Sequence, residues 1–171
     1  MSYAWRFIKQ TLWWTPVVIT VNDCICGQAV VNGRSMQPTL NPAPEAGKDR
    51  VLADKLSIRL YQYNRGDVVL LRCPDHPHTI LVKRLLALEG DWVLVPGVAD
   101  IQKIPKGHCW IEGDNPALSE DSRSKYGPVP LGLIEGRVTH VIWPPSRIGR
   151  ITAALPPGRL LATNRLKTPA R

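Results

Sequence analysis

The chain reads as an all-β domain preceded by one N-terminal helix. Short apolar runs rich in Val, Ile and Leu recur between turn signals, and 13 glycines and 16 prolines in 171 residues favour frequent turns over long helices. A hydrophobic content of 44% supports one compact core and excludes a wholly disordered chain or several large domains.

From Trp5 to Val31 the chain has the character of an imperfect anchor. Arg6 and Lys9 precede the apolar stretch Leu12 to Val21, and Asn22 and Asp23 interrupt it. Spanning a bilayer takes about 20 apolar residues, so the segment reads as membrane-associated or spanning, with a buried core helix or a cleaved signal as the alternatives. If it spans, Arg6 and Lys9 put the N-terminus on the positive-inside face and the body on the far side. The expected division is an anchor segment over 1–30, a β body over 31–147 and a basic tail over 148–171.

Six strands are expected in the body: Val51–Ala53, Asp67–Arg72, Thr79–Leu88, Trp92–Val95, His108–Glu112 and Arg137–Trp143. Each is bounded by turn residues such as Arg65-Gly66, Gly90-Asp91, Gly113-Asp114 and Pro144-Pro145. The stretch Asn41–Arg50, with Pro42, Pro44 and Gly47, reads as a long turn.

The formal charge of +8 is concentrated late in the chain: residues 136–171 hold seven basic side chains and no acidic one. Beyond Trp143 they are not interleaved with aromatics, which argues against a nucleic-acid surface. A solvated tail, or one lying against an acidic membrane or partner, is expected instead. Four cysteines without C-x-x-C spacing suit neither a disulfide scaffold nor a zinc site. His76 and His78, separated by Pro77, read as a solvated turn, and His108 and His140 as packed or edge residues of strands.

Chemistry enters at Asn32-Gly33-Arg34-Ser35-Met36-Gln37-Pro38-Thr39-Leu40. A serine hydroxyl needs a base to become a nucleophile, and a lysine can be that base only when neutral. Lys83, on a predicted strand where it shares a face with Leu81 and Leu85, has apolar neighbours that would disfavour its charged form. The bland alternative is a lysine snorkelling to water from an edge strand. The polar run Glu112 to Arg123 supplies hydroxyl and carboxylate groups, or is only a Gly/Asn/Pro turn with an Asp–Arg pair.

Taken together, these segments resemble the type I signal peptidase family, membrane-anchored endopeptidases with a Ser/Lys dyad. The resemblance rests on Gly33-x-Ser35-Met36-x-Pro38-Thr39-Leu40, Arg65-Gly66-Asp67-Val68-Val69, Lys83-Arg84 with Gly90-Asp91, and Gly113-Asp114-Asn115 followed by Ser119-x-Asp121-Ser122-Arg123. The run Tyr126 to Leu133 and Ile142-Trp143-Pro144-Pro145-Ser146-Arg147 are similar to the mitochondrial inner membrane branch of that family. The resemblance implies a signal-peptidase-like β domain behind one membrane-anchoring helix, with no cofactor and no metal. It implies Ser35 as the acylated nucleophile, Lys83 as general base, Ser119 orienting the Lys83 amine, and Asp121 with Arg123 as a supporting ion pair. The Ser35 backbone N–H would serve the oxyanion hole; some bacterial members place a serine where this chain has Gly33.

Shallow apolar pockets for small residues before the cut would be lined by Val31, Met36, Leu40, Leu81 and Val82. The implied substrates are precursor polypeptides with cleavable targeting sequences, cut in the mitochondrial intermembrane space. The implied partners are membrane lipid of the inner membrane and the homologous protease subunit 1. A non-catalytic scaffold subunit and a bacterial-type signal peptidase stay open as alternatives. A self-cleaving transcriptional regulator is disfavoured, since about thirty residues before Ser35 are too few for a helix-turn-helix unit with its own core.

Overall fold

A computed structural model describes residues 3–43, 47–96 and 100–161. It opens with α1 (Tyr3–Thr20) and a wide π turn (Val21–Ile25), then β1 (Cys26–Val30), β2 (Arg50–Asp54) and the single-turn α2 (Leu56–Arg59). There follow β3 (Val68–Arg72), β4 (Ile80–Ala87), β5 (Trp92–Val95), β6 (Asp100–Lys103) and β7 (His108–Glu112). The last strands are β8 (Val129–Pro130), β9 (Ile134–Trp143), β10 (Gly149–Arg150) and β11 (Leu160–Leu161). Each of the six expected runs overlaps a strand, and apart from the single turn of α2 the body is mostly β, consistent with the all-β expectation.

The pairings are antiparallel. The main sheet runs β1-β2-β9-β3-β4-β7-β8 with β10 on β9, and a smaller sheet runs β11-β5-β6. β4 lies between β3 and β7, and its residues from Lys83 to Ala87 are all buried, as expected of a strand with neighbours on both edges. On one side of the sheet, Val69, Leu71, Leu85 and Ile111 form a core with Ile134. A second core of Val31, Met36, Leu40, Leu70 and Val138 lies beneath the Ser35 loop, and a third around Trp110, Leu86 and Val93 joins the small sheet.

β1 falls inside the segment assigned by sequence to the anchor. Gly27 pairs with Ala53 and Ala29 with Val51, so residues 26–30 belong to the main sheet. Its short Cys-Gly-Gln-Ala-Val pattern, following an apolar stretch, carries little strand signal of its own. α1 exposes Leu12, Trp13, Trp14, Val17 and Val18, and Pro16 interrupts its sequence. Among the described residues, no helix is long and apolar enough to cross a membrane.

The basic tail is also, in part, body. β10 extends the sheet from β9, Ala154 N–H donates to Gly66 O at 3.2 Å, and β11 pairs with β5. Arg147 and Arg159 are not solvated: they pair with Asp49 and Glu112, carboxylates only 1% and 3% exposed. A buried carboxylate without a cation costs several kcal/mol, and these arginines supply the cation. The final ten residues of the expected tail, 162–171, lie outside the described residues.

Leu71 is fully buried and packs between β4 and β9. Leu71→Ala should lower the unfolding free energy by about 2–5 kcal/mol, read as a fall in the denaturant midpoint without a change in slope.

Candidate active site

The Ser35 loop is built by anchoring on both sides of the serine. Met36 and Leu40, 2% and 1% exposed, fix it to the core, and the turn is closed by Gln37 N–H to Arg34 O at 3.2 Å and Leu40 N–H to Met36 O at 2.9 Å. Asn41, in the left-handed region at φ 50°, donates from Nδ2 to Val31 O at 2.8 Å and Gly33 O at 3.1 Å. Asn41 and Asp49 then exchange two bonds, Asn41 N–H to Asp49 Oδ2 and Asp49 N–H to Asn41 Oδ1, each 2.8 Å. Both ends of the loop are therefore clasped. From the other side, Asn115 N–H donates to Ser35 O at 2.9 Å.

Lys83 is 3% exposed and lies opposite Val69 in the β3–β4 register, on the strand face of Leu81 and Leu85. Its amine donates to Ser119 Oγ at 2.7 Å rather than to Ser35. Ser119 in turn donates to Asp121 Oδ2 at 2.6 Å. Arg123 holds Asp121 through Nε at 3.0 Å and a terminal nitrogen at 2.6 Å, and Gly113 N–H adds a third donor at 2.9 Å. Burial pushes the Lys83 ammonium below its ordinary value; Asp121 opposes this and Arg123 assists it, with the net shift downward. Burial alone would raise the Asp121 carboxyl, but Arg123, Gly113 and Ser119 outweigh it and hold Asp121 below the ordinary carboxylate value.

Ser35 and Lys83 line one cavity of about 290 Å³. Val31, Met36, Leu81 and Val82 line it too, whereas Leu40 is packed in the core beneath the loop. The opposite wall is β1 from Gly27 to Val30, which the sequence reading did not assign to the site. A further contributor was legible only as an unassigned motif residue. Arg84, 4% exposed, makes a two-pronged bond to Asp114 at 2.7 and 2.6 Å, and Thr39 donates to the same carboxylate at 2.6 Å. This joins β4, the 113–115 turn and the far end of the serine loop. Asn41 and Asp49, read as part of a plain turn, carried a weak signal: Asn tolerates the left-handed conformation.

The arrangement brings a half-buried serine and a buried amine of lowered basicity to one cavity, with a relay of hydroxyl and carboxylate bonded to the amine, which suits nucleophilic acyl transfer. The family model "Signal peptidase, peptidase S26" matches residues 4–98 and 94–143. The chain belongs to this peptidase family. Mitochondrial inner membrane protease subunit 2 of Danio rerio is 45% identical to this signal peptidase homologue over 145 residues, covering 84% of this chain and 79% of that protein. The Homo sapiens protein of the same name is 42% identical, covering 92% and 90%. Homo sapiens mitochondrial inner membrane protease subunit 1 is 36% identical, covering 90% and 92%.

Gly113 sits where these parts converge. A Cβ there would lie 2.3 Å from Ser119 Oγ and 2.5 Å from Ser35 O, so no side chain fits without moving one of them. Gly113→Ala should therefore cost about 100-fold in peptide cleavage, the scale of an ångström-sized misplacement, while the far-ultraviolet dichroism of the sheet is retained.

Proposed function

We propose that this S26 peptidase is a serine endopeptidase held at the mitochondrial inner membrane, where it removes targeting sequences from precursor polypeptides sorted to the intermembrane space. Ser35 is the nucleophile and Lys83 the general base. The observation that carries this reading is a buried Lys83 amine whose hydrogen-bond partner, Ser119, has its own proton committed to Asp121. Ser119 can then only accept from Lys83. A neutral Lys83 spends one N–H on Ser119 and keeps its lone pair for the cavity that Ser35 shares.

Ser35 Oγ attacks the scissile carbonyl carbon as its proton passes to Lys83 Nζ. The Ser35 backbone N–H donates to the developing oxyanion, and Gly33 offers no hydroxyl beside it. Collapse expels the amine, which takes the proton from Lys83 and leaves an acyl-Ser35 ester. Lys83 then deprotonates a water, the resulting hydroxide attacks the ester, and Ser35 leaves with the proton returned from Lys83.

Substrate approach follows from the cavity walls. Among the described residues β1 is an edge strand paired only with β2, and it faces residues 80–82 across the cavity, so an extended precursor segment can add along its other backbone edge. Val31, Met36, Leu81 and Val82 leave shallow apolar room for small side chains; each extra methylene changes discrimination by about 1–3 kcal/mol. Relatives named as subunits 1 and 2 of one protease support a homologous partner subunit. The exposed apolar residues of α1, from Leu12 to Ile19, support its role in holding the chain on lipid.

Ser35→Ala should reduce cleavage by about 10³-fold or more, because no covalent intermediate can form; full activity of the purified variant would refute the peptidase reading. Because the working amine is deprotonated, kcat/KM should rise with pH through a single ionisation below the ordinary lysine value of 10.5. Lys83→Arg, which cannot deprotonate, should abolish that limb together with activity. Removing residues 1–20 keeps β1 and should release the body from carbonate-washed membranes; continued sedimentation would contradict the role given to α1.

A further inference from the structure

We propose that Arg159 is a positioning residue for the Lys83 base, acting from the C-terminal strap through a buried chain of charges; this rests on the Ser35/Lys83 reading above. The chain begins where Arg159 ion-pairs with Glu112. Glu112 also meets Arg123 at 3.5 Å, and Arg123 meets Asp121 at 2.6 Å. Asp121 accepts from Ser119, which accepts from Lys83. Lys83 is 3% exposed, and the side chains of Asp121, Arg123, Glu112 and Arg159 are each 15% exposed or less.

Arg123 therefore serves two carboxylates. Its bonds to Asp121 are short and its contact with Glu112 is long, a division that holds because Glu112 has a second cation in Arg159 and a neutral donor in Trp110 Nε1 at 2.8 Å. Arg84 lies opposite Glu112 in the β4–β7 register but is committed to Asp114 and Gly66 O. Arg159 is itself fixed by the small sheet, its carbonyl accepting from Leu94 N–H at 3.0 Å.

Without Arg159, Glu112 stays buried with Arg123 as its remaining cation. The guanidinium is drawn toward Glu112 and away from Asp121, since an unpaired buried carboxylate is the costlier outcome. Asp121 then faces Lys83 with its charge less compensated. The groups around the amine are Asp121, Arg123 and Glu120 from the 113–123 segment, Cys73 just past β3, Ser119, and Ser35, Lys55 and Glu135 around the shared cavity. Of these, Asp121 most of all, then Glu120 and Cys73, favour the ammonium form, and Arg123 disfavours it. Loss of Arg159 thus makes Lys83 more basic, and a larger fraction of the enzyme is protonated and idle at neutral pH.

The test measures kcat/KM against pH for the full-length protein in inner membranes, with an internally quenched peptide carrying Ala before the cut. Arg159→Ala should move the midpoint of the rising limb upward by about half a pH unit, about a threefold loss at pH 7, through kcat and not KM. Arg159→Lys should restore most of the position. Glu112→Gln with Arg159→Ala should return the midpoint toward wild type, because no buried carboxylate then competes for Arg123. An unmoved midpoint in Arg159→Ala, or an equal shift in the double variant, overturns the inference; a purely structural role for Arg159 lowers the amount of active enzyme and leaves the midpoint in place. If Arg159→Ala fails to fold, Glu112→Gln alone should lower the midpoint, and an unchanged or raised value overturns the inference. Ser35→Ala run in parallel separates the two claims: cleavage that survives it removes the peptidase reading, whereas Ser35-dependent cleavage with an unmoved midpoint removes only the role of Arg159.

Discussion

A lysine that is to act as a base near neutral pH must sit where its charge is unwelcome, yet the hydroxyl that orients it is itself oriented by a carboxylate that would welcome that charge. Lys83 and Asp121 stand in this conflict, one hydroxyl apart. Three features decide it. Lys83 is buried on a central strand, Asp121 is compensated by Arg123, and Ser119 passes on geometry while placing a neutral group between the two charges. In the proposed mechanism the rest of the site depends on that balance, because the serine loop can be in perfect register and still do nothing beside an ammonium.

The sheet explains why the balance can be kept. Lys83 and Arg84 are consecutive on β4 and project to opposite faces, so one strand carries both the proposed base and the clasp on its surroundings. Arg84 ties Asp114 and hence Thr39, while Arg147 bonds Thr39 O and Asp49, so segments more than a hundred residues apart in sequence converge on one loop. Buried ion pairs of this kind contribute little net stability over an apolar core of the same volume. Their value here is placement: each fixes a distance that hydrophobic packing, which is not directional, leaves free.

What could be read from the sequence follows the same division. β3, β4 and β7 were legible because apolar runs flanked by Gly or Pro state their own boundaries, whereas β9 was read from Arg137 and begins at Ile134, with Gly136 inside the strand. β1 was hidden by the apolar stretch before it, and β11 by a tail whose arginines look solvated until their partners are known. Ser35 and Lys83 could be named as candidates from their local chemistry, and Ser119, Asp121 and Arg123 because the local motifs that hold them resemble those of the peptidase family. Arg159 could not: its meaning lies in Glu112, 47 positions earlier, and only the meeting of β7 with the strap after β10 reveals it. Positive charge counted along a chain says where arginines are, and says nothing about which carboxylates they face.

The short join between α1 and β1 ties the proposed chemistry to the membrane. α1 ends at Thr20 and the cavity wall begins at Gly27, so the wall starts seven residues on. At about 3.3–3.6 Å per residue, even a fully extended join places it within about 25 Å of the end of the helix. With α1 held on lipid as proposed, a precursor bound to the same membrane by its targeting sequence can present the segment just beyond the lipid surface to β1. Tethering enzyme and substrate to one surface raises their effective concentration, so a shallow pocket of modest discrimination suffices where a freely diffusing protease would need a deeper one. On the proposed mechanism, selectivity comes from which polypeptides reach the edge of β1 in extended form, and the small apolar pockets beside Ser35 set where along them the cut falls.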